Sequence, residues 1–147
     1  MELKDINLDF LHIPLEDNQE LLIEYGRAVG WINMVEFIVE NLIRFKGRPP
    51  QTNLETTKDA LANKTLGQKI PLLEKIIDPS TIDKIKELNR KRIILAHGVA
   101  GVLVKNKDGK TTNIGFTIEH QGVEHTLTPE FLKEITRECK EVTLLLS

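Results

Sequence analysis

The sequence predicts a mainly α-helical bundle of four to five helices, with a small antiparallel β meander inserted before the last helix. Two observations support this fold class. Apolar residues recur at steps of three and four through most of the chain, a spacing typical of helices that bury one face. Between residues 102 and 127 the period changes to two, and Asp108-Gly109 forms a turn signal typical of a β hairpin.

The composition fits one globular domain, and we treat residues 1–147 as a single unit. The chain has 147 residues, 40% of them hydrophobic and 29% charged, with a net charge of -2. Cys139 is the only cysteine, which fits a reducing, cytoplasmic compartment. The acidic start and the charged residues within every apolar stretch predict neither a signal peptide nor a membrane span. The balanced charge disfavours a protein that coats nucleic acid non-specifically.

The first elements are an extended arm over residues 1–16 and a long helix. Asp17 is expected to cap this helix, with Glu20 placed as in a capping box, and the helix ends near Lys46-Gly47. Its stripe consists of Leu21, Tyr25, Ala28, Ile32, Val35, Val39 and Leu42. Further apolar groups widen the stripe, namely Leu22, Val29, Trp31, Met34, Ile38 and Phe45. This width favours either a buried central helix or a second face covered by another copy of the chain.

A second helical region follows the Arg48-Pro49-Pro50 break. It runs from about Asn53 to Ile77, and Gly67 and Pro71 are expected to split it. The residues expected to face inward are Leu54, Leu61, Leu66, Ile70, Leu73 and Ile77.

Two further helices flank the meander. Asp78-Pro79-Ser80-Thr81 supplies a cap for a helix that runs to about Gly98–Gly101. Its apolar residues are Ile82, Ile85, Leu88, Leu95 and Val99. Thr128 and Pro129 open the last helix as its cap and first residue. The last helix is expected to bury Leu132, Ile135, Cys139, Val142 and Leu146.

The helix after Asp78 carries the residues with the clearest chemistry. Arg92 falls within its apolar stripe, so the arginine must be paired or must face an opening. Arg90 shares a face with His97, seven residues on. An arginine can hold a phosphate and a histidine can exchange a proton near neutral pH, which are the minimum parts for metal-independent RNA cleavage. A structural alternative pairs Arg92 with a glutamate of the first helix and makes His97 a helix cap.

The segment Arg92-x4-His97 resembles the Arg-x(4–6)-His signature of the HEPN superfamily. Upstream, Lys64-Thr65-Leu66-Gly67-Gln68 resembles a Thr-Leu-Gly segment of many small prokaryotic members. The resemblance covers roughly residues 17–101 and the final helix, with the meander as an insertion at about 102–127. It implies a homodimer with a metal-independent endoribonuclease site at the interface, of the toxin or phage-defence type. The alternative is a non-catalytic module that binds a nucleotide, RNA or a cognate antitoxin.

Within this resemblance His97 serves as acid or base and Arg92 holds the phosphate, helped by Asn89 or Arg90. The family usually has a polar residue after the motif arginine, where this chain has Ile93. The alternative register, Arg90-x6-His97, restores a polar follower in Lys91. Both arginines are therefore candidates.

We expect the other reactive residues to have structural rather than functional roles. His120 and His125 could bind a metal only if they converged, and their odd spacing would put them on opposite faces of a continuous strand. We expect them to be solvated hairpin residues. Cys139 is expected to be a small buried apolar residue. The sequence has no Walker loop, dinucleotide-binding glycine pattern or zinc framework, so we expect no cofactor and no metal.

Overall fold

The computed structural model describes residues 18–46 and 58–147, which contain five helices and three strands. In chain order they are α1 (Gln19–Phe45), α2 (Lys58–Ala62), α3 (Leu66–Leu73), α4 (Pro79–His97), β1 (Val99–Lys107), β2 (Lys110–His120), β3 (Val123–Leu127) and α5 (Pro129–Leu145). The predicted helical bundle with an antiparallel sheet before the last helix is confirmed. The predicted arm at residues 1–16, the Arg48-Pro49-Pro50 break and Leu54 lie outside the described residues. None of the described helices combines the length and apolar character needed to cross a membrane.

Helix α1 supplies the central apolar face of the bundle. Asn18, rather than the predicted Asp17, is its cap, because the Asn18 Oδ1 accepts a hydrogen bond from the backbone N–H of Leu21 at 3.0 Å. The buried residues of α1 are Leu21, Glu24, Ala28, Ile32, Val35, Val39 and Ile43. Helix α5 packs along α1 most extensively, and α3 and α4 also contact it. The opposite side of α1 remains exposed, including Phe37 at 61%.

The second helical region is two helices, and the break lies at residues 63–65 rather than at Gly67 or Pro71. Thr65 forms a capping box with Gln68, which starts a new helix at Leu66. The Thr65 N–H donates to Gln68 Oε1 at 2.9 Å, and the Gln68 N–H donates to Thr65 Oγ1 at 3.4 Å. Pro71 lies inside α3. Four of the residues predicted to face inward are buried, namely Leu61, Leu66, Ile70 and Leu73.

Helices α4 and α5 begin at the predicted caps. The Asp78 carboxylate accepts a hydrogen bond from the Thr81 N–H at 3.0 Å, and Thr128 Oγ1 accepts one from the Phe131 N–H at 3.1 Å. Proline follows each cap, where its missing N–H costs nothing. The residues predicted to face the core of α5 are all buried, namely Leu132, Ile135, Cys139, Val142 and Leu146.

The three strands form an antiparallel meander in the order β1-β2-β3, as predicted, and β1 begins earlier than expected, at Val99. Both turns place two successive residues at positive φ. The values are 52° and 74° at Asp108 and Gly109, and 51° and 75° at Gln121 and Gly122. Two positive φ angles define the type I′ turn, whose twist matches that of the flanking strands. The turns therefore set the register next to each loop, and an irregularity between Leu103 and Val104 shifts it further along the first hairpin.

Gly98 allows the sheet to pack directly against the end of α4. A Cβ atom at this position would lie 2.4 Å from Ile118 Cγ1 of β2 and 2.4 Å from the backbone oxygen of Ile94. Ile118 is itself 2% exposed, so it cannot move aside into solvent. The chain therefore needs glycine where α4 ends and β1 starts.

We expect Gly98→Ala to lower the free energy of unfolding by about 1 to 3 kcal/mol, because the added methyl group overpacks the contact with Ile118. Urea unfolding followed by circular dichroism would measure the change. Gly26→Ala is the matched control, since a Cβ at Gly26 meets no atom of the described residues within 4 Å. Alanine in the interior of α1 should raise the free energy of unfolding by about 0.5 to 1 kcal/mol. Equal effects of the two substitutions would contradict this account of Gly98.

The cap of α4 predicts a pH dependence. Hydrogen bonds from Ser80 and Thr81 lower the pKa of Asp78 from 3.8 to about 2. A pKa depressed by folding stabilises the protein above the unfolded value, and this contribution is lost as the pH falls through the folded value. We expect the melting temperature of Asp78→Asn to fall less between pH 3.8 and about 2 than that of the parent protein. Parallel melting curves across this interval would contradict the assignment.

Candidate functional site

The two candidate arginines lie on opposite sides of α4. Two residues along a helix correspond to a rotation of about 200°. Arg92 therefore lies between α4 and α1, whereas Arg90 lies between α4 and the β2–β3 hairpin. The two registers of the Arg/His motif belong to two different cavities.

Arg92 lines the first cavity and is already paired. Its Nε lies 3.5 Å from Glu36 Oε1 of α1 and donates a hydrogen bond to Asn89 Oδ1 at 3.2 Å. The Arg92 side chain is 16% exposed. The cavity has a volume of about 240 Å³, and Tyr25 closes it by donating a hydrogen bond to the Leu95 carbonyl at 2.9 Å. Arg92 is thus both paired and open to a cavity, and its partner is the first-helix glutamate of the structural alternative.

Asn89 connects the two sequence motifs. A Cβ atom at Gly67 would lie 3.0 Å from Asn89 Nδ2, closer than an ordinary contact. The Thr65-Leu66-Gly67 segment therefore packs directly on α4, and its glycine makes room for the asparagine. The Asn89 side chain thus lies against Gly67 at its nitrogen and accepts a hydrogen bond from Arg92 at its oxygen.

Arg90 lines the second cavity, which we call the hairpin groove. Its volume is about 390 Å³, and its walls consist of Arg90, Ile93, Ile94, His120, Gln121, Val123 and His125. Arg90 Nη2 lies 2.9 Å from Glu87 Oε2, and the arginine side chain is 71% exposed. An exposed pair of this kind contributes no more than about 1 kcal/mol. The Arg90 guanidinium can therefore exchange Glu87 for a bound anion.

His120 and His125 share one face of the sheet, because the strand is not continuous between them and the opposite-face spacing of a continuous strand does not apply. The two-residue turn at Gln121-Gly122 pairs His120 with Val123, and Ile118 pairs with His125. Directly paired residues of antiparallel strands point to the same face, as do residues two apart on one strand. The Gln121-Gly122 turn indicates this arrangement in the sequence, because it reverses the strand between the two histidines.

His97 lies outside the described lining of the hairpin groove, on the side of α4 that carries Arg90. It is the last residue of α4 and is exposed. Ile93 and Ile94 lie one turn before it, and side chains at this spacing are about 5–6 Å apart at Cβ. By helical rotation His97 is about 20° from Arg90 and about 140° from Arg92. The structure thus brings His97 to the side of α4 that carries Arg90, and away from the Arg92 cavity.

The remaining reactive groups do not join this cluster. Across residues 18–46 and 58–147, His, Cys, Asp and Glu side chains form no group of three that could hold a metal ion. Cys139 is buried in α5, and burial, with the nearby charge of Glu138, raises the pKa of its thiol to about 12. A thiol in this state is a poor nucleophile, as expected for a core residue.

The chain matches no known protein family, no curated protein and no solved structure. The resemblance to the HEPN superfamily therefore depends on the sequence motifs alone, and functional inference depends on the arrangement of residues around α4.

We expect Arg92→Met to lower the free energy of unfolding by about 1 to 3 kcal/mol, because Glu36 would keep its charge beside an apolar cavity without its partner. The double variant Arg92→Met/Glu36→Gln should lose less than the sum of the two single variants. Urea unfolding of all four proteins would give the coupling energy.

Arg90→Met is the matched control, and its stability should stay within about 0.5 kcal/mol of the parent value. Strictly additive effects of the Arg92 and Glu36 substitutions would show that the ion pair does not contribute to stability.

Proposed function

We propose that this protein is a metal-independent endoribonuclease and that the hairpin groove is its active site. The observation that supports this most strongly is that Arg90, His120 and His125 line one open groove. His97 shares the Arg90 side of α4 by helical rotation. Two or more imidazoles beside a guanidinium supply an acid, a base and a phosphate-binding group.

The chemistry needs nothing beyond these groups and the RNA itself. One imidazole takes the proton of the ribose 2′-hydroxyl, and the 2′-oxygen attacks the adjacent phosphorus. The bond from phosphorus to the 5′-oxygen breaks, and a second, protonated imidazole gives its proton to this leaving oxygen. The products are a 2′,3′-cyclic phosphate and a 5′-hydroxyl. Arg90 would hold the non-bridging oxygens, where negative charge increases during the attack.

The groove also offers an apolar surface for a nucleobase. Ile93 and Ile94 form one wall, and Val123, which is 55% exposed, lies on the other. A volume of about 390 Å³ lies within the usual range of about 300–1,000 Å³ for small-molecule sites. A nucleotide could therefore place its base against the isoleucines and its phosphate beside Arg90.

In this proposal Arg92 and Asn89 position α4 rather than contact RNA. The Glu36 pair and the Gly67 contact already occupy these two side chains. The Arg90-x6-His97 register then provides the contact to phosphate. The homodimer and the toxin or phage-defence role implied by the HEPN resemblance stay predictions, and the proposed active groups all lie on one chain.

A second candidate is the non-catalytic module that binds a nucleotide, RNA or an antitoxin. Two observations favour it. Ile93 replaces the polar residue usual in the motif, and Arg92 is committed to Glu36. In this case the hairpin groove would bind the same ligands without cleaving them.

Two of the three histidines His97, His120 and His125 would supply the acid and the base. We therefore expect two of the three single substitutions to alanine each to lower the rate of RNA cleavage by about 10² to 10⁴. Arg90→Ala should also lower the rate. A labelled RNA oligonucleotide containing a single cleavable ribose would report the rate, and its product should carry a 2′,3′-cyclic phosphate.

Thr126→Ala, which changes the opposite face of β3, is the matched control and should cleave at the parent rate. Melting temperatures of all variants would exclude unfolding as the cause of a lost rate. Binding of the RNA without cleavage by the parent protein would favour the non-catalytic candidate. Parent-level cleavage by all three histidine variants would end the enzymatic proposal.

A further inference from the structure

A second groove, between α1 and α5, is lined by more basic than acidic side chains. Its volume is about 500 Å³. Four basic side chains line it, namely Arg27, Lys133, Arg137 and Lys140, and Glu24 is its one acidic lining residue among those described. The chain as a whole carries a net charge of -2, so this concentration of positive charge is local. We call this surface the α1–α5 groove.

Arg27 donates a hydrogen bond to the buried Glu24 carboxylate at 2.6 Å, but its side chain is 62% exposed, so its other N–H groups remain open to a ligand. The other basic groups of the groove have only exposed partners or none among the described residues. Lys133 lies 3.6 Å from Glu20, and Arg137 pairs with Glu134 and Glu141 on the exposed surface of α5. Exposed pairs of this kind are weak, so a phosphate can replace the carboxylates. Lys140 makes no ion pair with any described residue, and its Nζ lies 5.3 Å from the centre of the Trp31 ring. The groove thus joins cationic groups to an aromatic ring.

Trp31 separates this groove from a smaller slot. The slot has a volume of about 310 Å³ and is lined by Arg27, Gly30, Trp31 and Met34. A Cβ at Gly30 would meet nothing within 4 Å, so no described part of the chain requires glycine there. Glycine in a helix interior weakens the helix. What Gly30 does provide is open space beside the tryptophan ring.

The α1–α5 groove also contains a buried polar atom without a partner. Thr136, which lines the groove, is 9% exposed, and its Oγ1 has no hydrogen-bond partner among the described residues. Buried hydroxyl groups are nearly always hydrogen-bonded in folded proteins. Thr136 therefore places an unsatisfied hydroxyl group beneath the groove.

We infer that the α1–α5 groove and its slot bind single-stranded RNA. A base enters the slot beside Gly30 and Met34 and stacks on Trp31, while Arg27, which lines both cavities, contacts its phosphate. The following phosphates lie along Lys140 and Lys133. Aromatic platforms beside a basic groove are the usual way in which proteins bind single strands without reading their sequence. The choice of RNA as the polymer rests on the proposed function.

Binding can be measured without cleavage by using a short, single-stranded oligouridine with 2′-O-methyl riboses, which lack the attacking hydroxyl. Trp31 is the only tryptophan of the chain, so its fluorescence reports on the slot directly. We expect the oligonucleotide to quench this fluorescence. Trp31→Leu should weaken binding about tenfold or more, as measured by anisotropy of a labelled oligonucleotide.

Charge reversal tests the groove. Lys133→Glu/Lys140→Glu should weaken binding about tenfold or more and reduce the slope of log affinity against log salt by about 1.4, since each phosphate contact contributes about 0.7. Lys75→Glu/Lys107→Glu is the matched control, because it changes the net charge equally at exposed positions outside the groove. Equal affinities and slopes in the two double variants would overturn the inference.

Gly30→Ala separates a binding role from a structural one. The added methyl group should raise the melting temperature and yet weaken oligonucleotide binding, because it fills the slot. The inference is overturned if Trp31 fluorescence is unchanged at saturation. It is also overturned if sedimentation shows that a second copy of the chain covers the slot and Gly30→Ala alters that association instead.

Failure of this inference and failure of the proposed enzyme give different results. Cleavage by the Lys133→Glu/Lys140→Glu variant at the parent rate and with the parent KM would leave the hairpin groove as the site and remove the α1–α5 groove. Quenching of Trp31 by the oligonucleotide in a protein that never cleaves RNA would support the α1–α5 groove as a binding site and remove the hairpin groove as an active site.

Discussion

Burial of one face of α1 is the constraint on which the rest of the structure depends. The face runs from Leu21 to Ile43, and α5 packs on it most extensively, with further contacts from α2, α3 and α4. Apolar burial on this scale is the main favourable term in folding a domain of this size. It leaves the flanks of α1 free to form grooves. One flank carries Glu36 toward α4, and the other carries Trp31 toward α5.

The arrangement of α4 follows from the same constraint. The leucine and isoleucine face of α4 packs against the bundle, so the helical rotation decides toward which neighbouring element each polar residue of α4 points. Arg92 lies nearest the apolar face and needs a counter-charge, which Glu36 supplies. Arg90, on the other side, is held only by an exposed glutamate. The difference in burial, rather than the motif spacing, decides which arginine stays available to a phosphate.

Much of the fold could be predicted from local sequence signals, and the wrong predictions concern positions where two or more such signals compete. The caps at Asp78 and Thr128 were identifiable because each precedes a proline, whereas Asp17 and Asn18 are adjacent capping residues and only the backbone geometry selects Asn18. The break at Thr65 outcompetes those at Gly67 and Pro71 because a capping box satisfies orphan backbone groups. The need of Arg92 for a partner was predictable. The choice of Glu36 depends on the packing of α4 against α1, which periodicity does not specify.

The candidate sites bring together residues that are distant in the sequence, and the sequence pattern does not specify these contacts. Counted along the chain, basic and acidic residues nearly cancel, and the sequence disfavoured non-specific coating of nucleic acid on that basis. The folded chain distributes these charges unevenly, because α1 and α5 each contribute cations to the groove that they share. A two-residue turn likewise brings His120 and His125 to one face of the sheet. In the two proposals, the α1–α5 groove would bind the RNA chain, and the hairpin groove would hold the scissile phosphate at Arg90 together with the proton-transfer groups. Separating the two functions would let the groove with the lysines set RNA affinity while the groove with the histidines sets the rate of cleavage.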